Sequence, residues 1–269
     1  MPAQLDLSKL SVRQFAERFR SEMIPLSNTF SYFCASVPMS DEDLKEYLQE
    51  PVAALPPAIA AALPKTSIFL VPYLERINGR ERARRVASND LKGAATSDVK
   101  GAAGDFISIE KPPEGRLTSS AHIKLGEETV LVFALKGQEV AEYHYRFYHQ
   151  LAALIGEHWT EPIETAYSRV LREELSGEVH GEVDEPSWRL KQALRRSKTG
   201  RHGKAFRDYA RQSFIDTLTL YLHGICCDID IDTGPRQLPS RHLRRRLLAL
   251  EELFPPPAGY VVFPEQLEP

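Results

Sequence analysis

The spacing of apolar residues changes twice along the chain and divides the sequence into three sections. In residues 1–64, apolar side chains recur at steps of three and four, which places them on one face of an α-helix. Ser11, followed three residues later by Gln14, is a capping-box signature for the start of the first helix. We therefore predict that the N-terminal section, residues 1–64, is helical.

Residues 65–137 contain short runs of strand-forming residues instead. These runs are SIFLVPYLE at 67–75, FISIE at 106–110, SSAHIKL at 119–125 and TVLVFALK at 129–136. Pro72 predicts an edge strand or a bulge in the first run, because proline donates no hydrogen bond to a sheet. Gly126 begins a short connection that predicts a hairpin between the last two runs. This section is therefore predicted to form a small, mostly antiparallel sheet.

A segment of small and charged residues, 76–105, interrupts the predicted sheet. It repeats the fragment KGAA at Lys92 and Lys100. Because long structureless loops are uncommon inside a compact domain, we predict that this segment is a mobile insertion.

The helical period returns after residue 137 and dominates to the end of the chain. Helices are predicted at 139–159 and from 163 to about 185, and further ones follow in residues 186–254. The fold class is therefore predicted to be α+β, with a small sheet packed against helices and a predominantly helical C-terminal half, 138–269. The three sections are expected to form one compact unit.

A row of glutamates marks the helix predicted from residue 163. Glu174, Glu178 and Glu182 follow one another at one-turn spacing, at which like charges repel. Gly177 and Gly181 weaken the same turns and indicate close approach by another backbone or a bulky side chain. We predict that the row is held by a cationic or metal partner, such as His149 of the preceding helix or an arginine of the final helix. A solvated acidic face is the alternative.

Composition indicates an ordinary soluble protein. The net charge of −3 excludes a chain that is cationic overall, and three cysteines do not make a disulfide framework. Neither a signal-peptide pattern nor a run of apolar residues long enough to cross a membrane is present in the sequence. We therefore expect a cytoplasmic protein with reduced thiols and no membrane partner, in which the adjacent Cys226 and Cys227 are buried and inert.

Histidines and carboxylates of the helical half are the candidate ligands of a divalent metal, and also the candidate acid–base groups. They are Glu142, His144, His149, Glu174, Glu178, Glu182 and Asp216. His144 lies on the apolar face of its helix, which also fits a core histidine with satisfied hydrogen bonds. No residue is assigned a catalytic role.

Basic residues of the segment 189–204 and of the final helix are the candidate anion-binding groups. They are Arg195, Arg196, Lys198, Arg201, Arg244 and Arg245. Such clusters can bind phosphates or an acidic surface. Because aromatic residues are not interleaved with these cations, the sequence does not favour nucleic acid as the partner.

Three functions follow from these patterns. The leading hypothesis is an intracellular binding or regulatory protein with a protein or small-molecule partner. The alternative is a metal-dependent hydrolase whose carboxylate and histidine site lies between the 139–159 and 163–185 helices. The second alternative is nucleic-acid binding through the basic segment 189–204. Whether the protein is an enzyme is left open by the sequence.

Overall fold

The computed structural model describes residues 10–35, 39–77, 104–196, 203–227, 237–263 and 266. With 55% helix and 19% strand, it confirms the α+β class. The chain divides into two compact units, one made of residues 1–43 and 64–139 and the other of residues 44–63 and 140–269. The helical stretch 44–63 thus belongs with the C-terminal half.

The strands lie in two sheets of the first unit. They are β1 (Ile24–Pro25), β2 (Phe30–Cys34), β3 (Thr66–Val71), β4 (Tyr73–Ile77), β5 (Gly104–Ser108), β6 (Leu117–Thr118), β7 (Ser120–Leu125) and β8 (Glu128–Ala134). A mixed sheet has the order β1-β2-β3-β8-β7, and an antiparallel sheet has the order β5-β4-β6. β3 pairs in parallel with both β2 and β8, whereas the other pairings are antiparallel.

Pro72 separates two strands where the sequence predicted one continuous run. β3 ends at Val71 in the mixed sheet, and β4 begins at Tyr73 in the antiparallel sheet. Since proline has no backbone donor, it stands where the chain leaves one ladder for the other. The predicted hairpin forms at Gly126, whose φ of 65° suits a tight turn.

The first helix, α1 (Val12–Phe19), covers part of the mixed sheet. Ser11 caps it, and the reciprocal bonds with Gln14 make the predicted capping box. Phe15 is fully buried and packs against Phe69 of β3 at 5.4 Å between ring centroids. The predicted insertion 76–105 begins within β4 and ends within β5, where Arg76 pairs with Asp105, and residues 78–103 lie outside the described part.

Helices build the second unit. Three short ones are α2 (Asp41–Leu44), which spans the boundary between the units, α3 (Glu50–Ala53) and α4 (Pro57–Ala62). Longer ones are α5 (Val140–Glu157), α6 (Glu161–Ser176), α7 (Glu185–Arg196), α8 (Lys204–Cys226) and α9 (Ser240–Leu253). α8 packs against α5, α6, α7 and α9 and is therefore the central helix of this unit.

The helix that begins at residue 161 ends earlier than the sequence predicted. α6 stops at Ser176, Gly177 caps it, and Glu178 adopts a left-handed φ of 54°. The backbone of Glu182 then forms an isolated parallel β-bridge with Gln237. The one-turn spacing of the glutamate row therefore does not persist, and the prediction of a continuous helix through residue 185 is wrong.

Gly181 confirms the predicted close approach of another backbone. Its φ is 83°, and a Cβ added there would overlap the carbonyl group of Gln237. We expect Gly181→Ala to lower the free energy of unfolding by roughly 1–3 kcal/mol or more, because left-handed backbone strain and a backbone clash combine. Urea denaturation followed by circular dichroism measures this change.

Gly177→Ala is the matched control. Gly177 has a negative φ of −83°, and a Cβ there would meet only ordinary van der Waals contacts. Its stability should be unchanged or raised by up to about 1 kcal/mol. Equal stability of the two alanine variants would contradict the close approach at Gly181.

Candidate metal centre

Two imidazoles and a thiol meet where α5 packs against the end of α8. His144 lies in α5, His223 lies in α8, and Cys227 directly follows α8. We call these three residues the metal cluster. In the described part of the chain, these three form one group whose donor atoms all lie within 4.8 Å of one another. His223 and Cys227 are four residues apart, so one helical turn brings both donors to the same face.

The hydrogen bonds of His144 orient a ring nitrogen toward Cys227. Nε2 of His144 lies 2.9 Å from the carbonyl oxygen of Glu46, and Nδ1 lies 3.2 Å from Sγ of Cys227. Because a carbonyl oxygen only accepts, Nε2 carries the proton and donates it, and this assigns the lone pair to Nδ1. Metal-binding histidines are commonly held in this way by a backbone carbonyl on the other nitrogen.

His223 is the least satisfied member of the metal cluster. Its side chain is 8% exposed, and its Nε2 is buried without a hydrogen-bond partner among the described residues. Its ring lies 6.4 Å from that of His144, at an angle of 78°. A buried ring nitrogen without a partner costs the protein free energy on the order of 1–3 kcal/mol, which a bound ion would offset.

Burial keeps both imidazoles neutral near pH 7. It lowers the pKa of His223 to about 4, and the neighbouring His144 adds to this effect. Burial also lowers the pKa of His144, although the hydrogen bond to Glu46 opposes the shift. Neutral imidazole is the form that binds metal ions.

A second thiol and a tyrosine border the metal cluster. The neighbouring Cys227 lowers the pKa of Cys226 to about 7, against the opposing effect of burial. The Tyr148 hydroxyl donates to the carbonyl oxygen of Pro51 at 3.1 Å. Both thiols are half-buried, so the prediction that they are buried and inert is wrong in its first part.

The donor set and its spacing fit a zinc-like ion. In a tetrahedral site with Zn–N and Zn–S distances of about 2.0 and 2.3 Å, neighbouring donors lie roughly 3.5 Å apart. The separation of 3.2 Å between His144 and Cys227 is close to that value. The other donor separations are at most 4.8 Å, so the side chains would have to move together to enclose an ion, which would then have a fourth coordination position for water or another ligand.

A second polar cluster lies deeper in the same unit, around the guanidinium of Arg246 on α9. We call Arg246, Glu174, Glu182 and Lys191 the ion cluster. Each of these side chains is 0% exposed. Nη2 of Arg246 donates to Glu174 at 2.5 Å and Nη1 donates to Glu182 at 2.7 Å, so one guanidinium joins α6 to the loop that follows it.

Neighbouring groups satisfy the remaining polar atoms of the ion cluster. Nζ of Lys191 lies 2.9 Å from Glu182 and donates to the carbonyl oxygen of Gly181 at 2.7 Å. Tyr209 of α8 donates to Glu182 at 2.5 Å, and Ser213 accepts from Arg246 at 2.8 Å. Two carboxylates and two cations balance in charge, which makes burial of all four tolerable.

The predicted partner of the glutamate row is confirmed for two of its three members. Glu174 and Glu182 are bound by Arg246, an arginine of the final helix. Glu178 is exposed and lies in the turn after α6. The prediction that Glu178 is the centre of a held row is therefore wrong, because α6 ends before Glu178 and leaves its side chain exposed.

The other predicted metal or acid–base residues do not converge with the metal cluster. Glu142 is exposed and pairs with Arg146 on its own helix. Asp216 is buried, accepts from the backbone of Ser187 and from Gln212, and burial raises its pKa. Of the predicted candidates, only His144 belongs to the metal cluster, while Glu174 and Glu182 belong to the ion cluster. Glu142, Asp216 and the half-buried His149 belong to neither cluster.

Several predicted anion-binding residues contact other parts of the protein. Arg195 donates to the carbonyl oxygen of Val179, Arg245 pairs with Glu173, and Arg244 lies 4.3 Å from the ring centroid of Phe263. Arg196 is exposed at the end of α7, while Lys198 and Arg201 lie outside the described residues.

Sequence reasoning did not include His223 and Cys227 among the candidate metal ligands. Their spacing of four residues at the end of an apolar helix was the available signal, since it places an imidazole and a thiol one turn apart. His144, the third donor, is 83 residues from Cys227, so only the packing of α5 against α8 reveals the group.

No protein-family model, curated protein or solved structure matches this chain. Within the described ranges, none of the helices is both long enough and apolar enough to cross a membrane. The functional argument therefore rests on the residues themselves.

Removing one carboxylate of the ion cluster tests its contribution to stability. We expect Glu182→Gln to lose about 3–5 kcal/mol of unfolding free energy, because Arg246 and Lys191 are left with one buried acid between them. Glu178→Gln is the matched control and should change stability by less than about 0.5 kcal/mol, since Glu178 is exposed. Chemical denaturation of the three proteins at pH 7 provides the measurement, and similar loss in both variants would contradict the buried pairing.

The ion cluster also predicts an acid-sensitive component of stability. Burial alone would raise the pKa of Glu182, but Arg246 and Lys191 outweigh it and lower the pKa from 4.5 to about 2. A carboxylate with a lowered pKa stabilises the folded state fully above its unfolded pKa. We expect about 3 kcal/mol to be present above about pH 5 and lost as the pH falls toward 2. Urea denaturation across this range measures the slope, which should be smaller in Glu182→Gln.

Proposed function

We propose that this protein is a metal-binding protein of the binding or regulatory kind, which holds one zinc-like divalent ion at the metal cluster. The observation that carries the proposal is the convergence of donor atoms of His144, His223 and Cys227 to within 4.8 Å of one another, together with a buried Nε2 of His223 that has no hydrogen-bond partner among the described residues. An ion at this position would be coordinated by all three residues.

The chemistry of the donors supports a transition metal over magnesium or calcium. Imidazole and thiolate are the ligands that zinc prefers, whereas magnesium and calcium favour oxygen ligands. The three donors of the metal cluster are nitrogen and sulfur. Because binding requires Cys227 as a thiolate, loading an ion releases a proton and becomes weaker at acid pH.

A metal-dependent hydrolase is the second candidate, and one observation favours it. Three protein donors leave a coordination position for water, as in catalytic zinc sites. However, the carboxylates first considered as general bases lie elsewhere, with Glu174 and Glu182 committed to Arg246. Turnover of ester or phosphoester substrates that requires the added ion and is lost with His223 would favour this candidate over a binding role.

The nucleic-acid hypothesis gains no support from the described residues. Arg195 and Arg245 are each bonded to groups of the protein itself, and the guanidinium of Arg244 lies over an aromatic ring. It remains a prediction for the basic segment, to be judged by the salt dependence of binding.

Metal titration tests the proposed function. The purified protein, stripped with a chelator and titrated with Zn²⁺, should bind one equivalent and become more resistant to heat. At a free ion concentration a hundred times the dissociation constant, the gain is about 2.7 kcal/mol. His223→Asn should lose both effects, because it removes the imidazole of one of the three proposed ligands.

His149→Asn is the matched control, since His149 lies on the same helix as His144 but outside the metal cluster. It should bind Zn²⁺ as the parent does. Titration with Co²⁺ adds a spectroscopic check, because a thiolate ligand gives a charge-transfer band that Cys227→Ser should abolish. A parent protein that binds no ion, or a His223→Asn protein that binds it equally well, would overturn the proposal.

A further inference from the structure

A cavity of about 810 Å³ opens between the first helix and the ends of two strands of the mixed sheet. Its volume is within the range of about 300–1,000 Å³ that small-molecule sites commonly have. The lining residues come from α1 and the short turn after it, from the segment that leads into β3, and from the β7–β8 hairpin. All of them belong to the first unit, so none is a member of the metal cluster.

Six of the lining residues are charged. They are Arg13, Glu17, Arg20, Lys65, Glu127 and Glu128. Arg13, Glu17 and Arg20 follow one another at steps of four and three, which places them on one face of the helix and its terminal turn. The lining therefore carries equal numbers of positive and negative groups.

A chain of polar groups orients Arg20 from inside the sheet. Ser67 of β3 is 2% exposed and donates to Glu128, and its Oγ lies 3.1 Å from Oγ of Ser31. Glu128 in turn pairs with Nη2 of Arg20 at 2.9 Å. Ser67 shares its face of β3 with Phe69 of the apolar core, two residues further on. A hydroxyl at this position adds no apolar packing, but it orients Glu128 and thereby the guanidinium at the cavity.

Arg20 and Lys65 offer donors at the same end of the cavity. Thr66 pairs with Thr129, so the residues that precede them, Lys65 and Glu128, are also neighbours. Arg20 contacts Glu128 through Nη2, while its Nε and Nη1 have no partner among the described residues. Lys65 is exposed, and its ammonium likewise has no partner there. A guanidinium and an ammonium placed in this way suit a carboxylate, which can accept from both.

Glu127 and Glu17 offer acceptors for a positively charged group. Glu127 is exposed in the β7–β8 turn and forms no ion pair within the described ranges. Glu17 is 58% exposed, and its contact with Arg13 is long, at 3.8 Å. An ammonium group can therefore bind these two carboxylates without breaking a short ion pair.

We propose that this cavity binds a small zwitterion with one ammonium and one carboxylate group, such as a free amino acid or a short peptide. A phosphate would be opposed by the three carboxylates of the lining and a polyamine by the three cations, whereas a zwitterion matches both. Pro64 and Leu125, which also line the cavity, offer apolar contacts to the carbon skeleton between the charged groups.

The experiment uses the full chain, freed of metal with a chelator so that the probes cannot bind through an ion. L-leucine and leucyl-leucine are titrated by calorimetry, each also with its ammonium blocked by acetylation or its carboxylate blocked as the amide. We expect one zwitterion to bind per chain, and each blocked form to bind about tenfold more weakly, because it lacks one charge-assisted contact. The tighter of the two zwitterions distinguishes an amino-acid site from a peptide site.

Two variants assign the charged ends of the ligand. Arg20→Gln should weaken binding of the zwitterion and of its acetylated form about tenfold, and it should leave binding of the amide unchanged, since the amide has no carboxylate. Glu127→Gln should weaken the zwitterion and the amide instead, and leave the acetylated form unchanged. Arg18→Gln is the matched control and should bind as the parent does, because Arg18 is an exposed arginine of α1 outside the cavity lining.

Chemical shifts locate the ligand on the chain. The amide resonance of Gly126, a lining residue, should move on binding, and that of Gly137, elsewhere in the same unit, should not. Absence of binding by both zwitterions at millimolar concentration, or equal affinity for a zwitterion and its blocked forms, overturns the proposal. An Arg20→Gln protein that binds the zwitterion as the parent does also overturns it. None of these outcomes bears on the metal cluster, because the measurements contain no metal.

Discussion

The folded helical unit depends on the burial of one charge that cannot be removed. The side chain of Arg246 is fully buried, and a guanidinium stays protonated at any ordinary pH. Its burial is tolerable only when Glu174 and Glu182 are both in place to accept its hydrogen bonds. Because these acids come from α6 and from the loop after it, formation of the ion cluster requires several segments to be packed together.

This requirement also explains the irregular chain after α6. If the helix had continued past Ser176, Glu182 would follow the helical face and could not meet Arg246 and Lys191 together. The left-handed Glu178 and the positive φ of Gly181 redirect the chain so that it does. Glycine at 181 permits the turn and leaves room for Gln237, and the free energy of these contacts maintains the strained backbone.

The same arrangement positions the metal cluster through α8. Tyr209 and Ser213 in the first half of this helix contact the ion cluster, and His223 and Cys227 lie at its end. From Tyr209 to His223 the helix rises roughly 21 Å, at 1.5 Å per residue. Because α8 is held by the ion cluster near one end and packs against α5, it fixes where His223 and Cys227 lie relative to His144. Glu46 and Pro51, outside both long helices, then orient His144 and Tyr148.

The sequence by itself determined the features that depend on near neighbours. The capping box at Ser11, the strand-forming run around Pro72 and the hairpin at Gly126 were all predicted, because their signals are local hydrogen bonding, φ preference and alternation of apolar residues. The division of that run into two strands of different sheets was not predicted. The repulsion within the glutamate row likewise required a partner, and the arginines of the final helix were among those considered.

Only the tertiary structure decided which arginine that partner is and which side chains meet at the metal cluster. Arg246 lies 72 residues from Glu174, and His144 lies 83 residues from Cys227. Contacts over such separations depend on how whole helices pack, and periodicity within each helix does not specify its neighbours. For the same reason, the sequence did not predict that α6 ends at Ser176. The residues beyond Ser176 keep a helical spacing of apolar side chains, but the buried charge pairs formed by leaving the helix stabilise a different path.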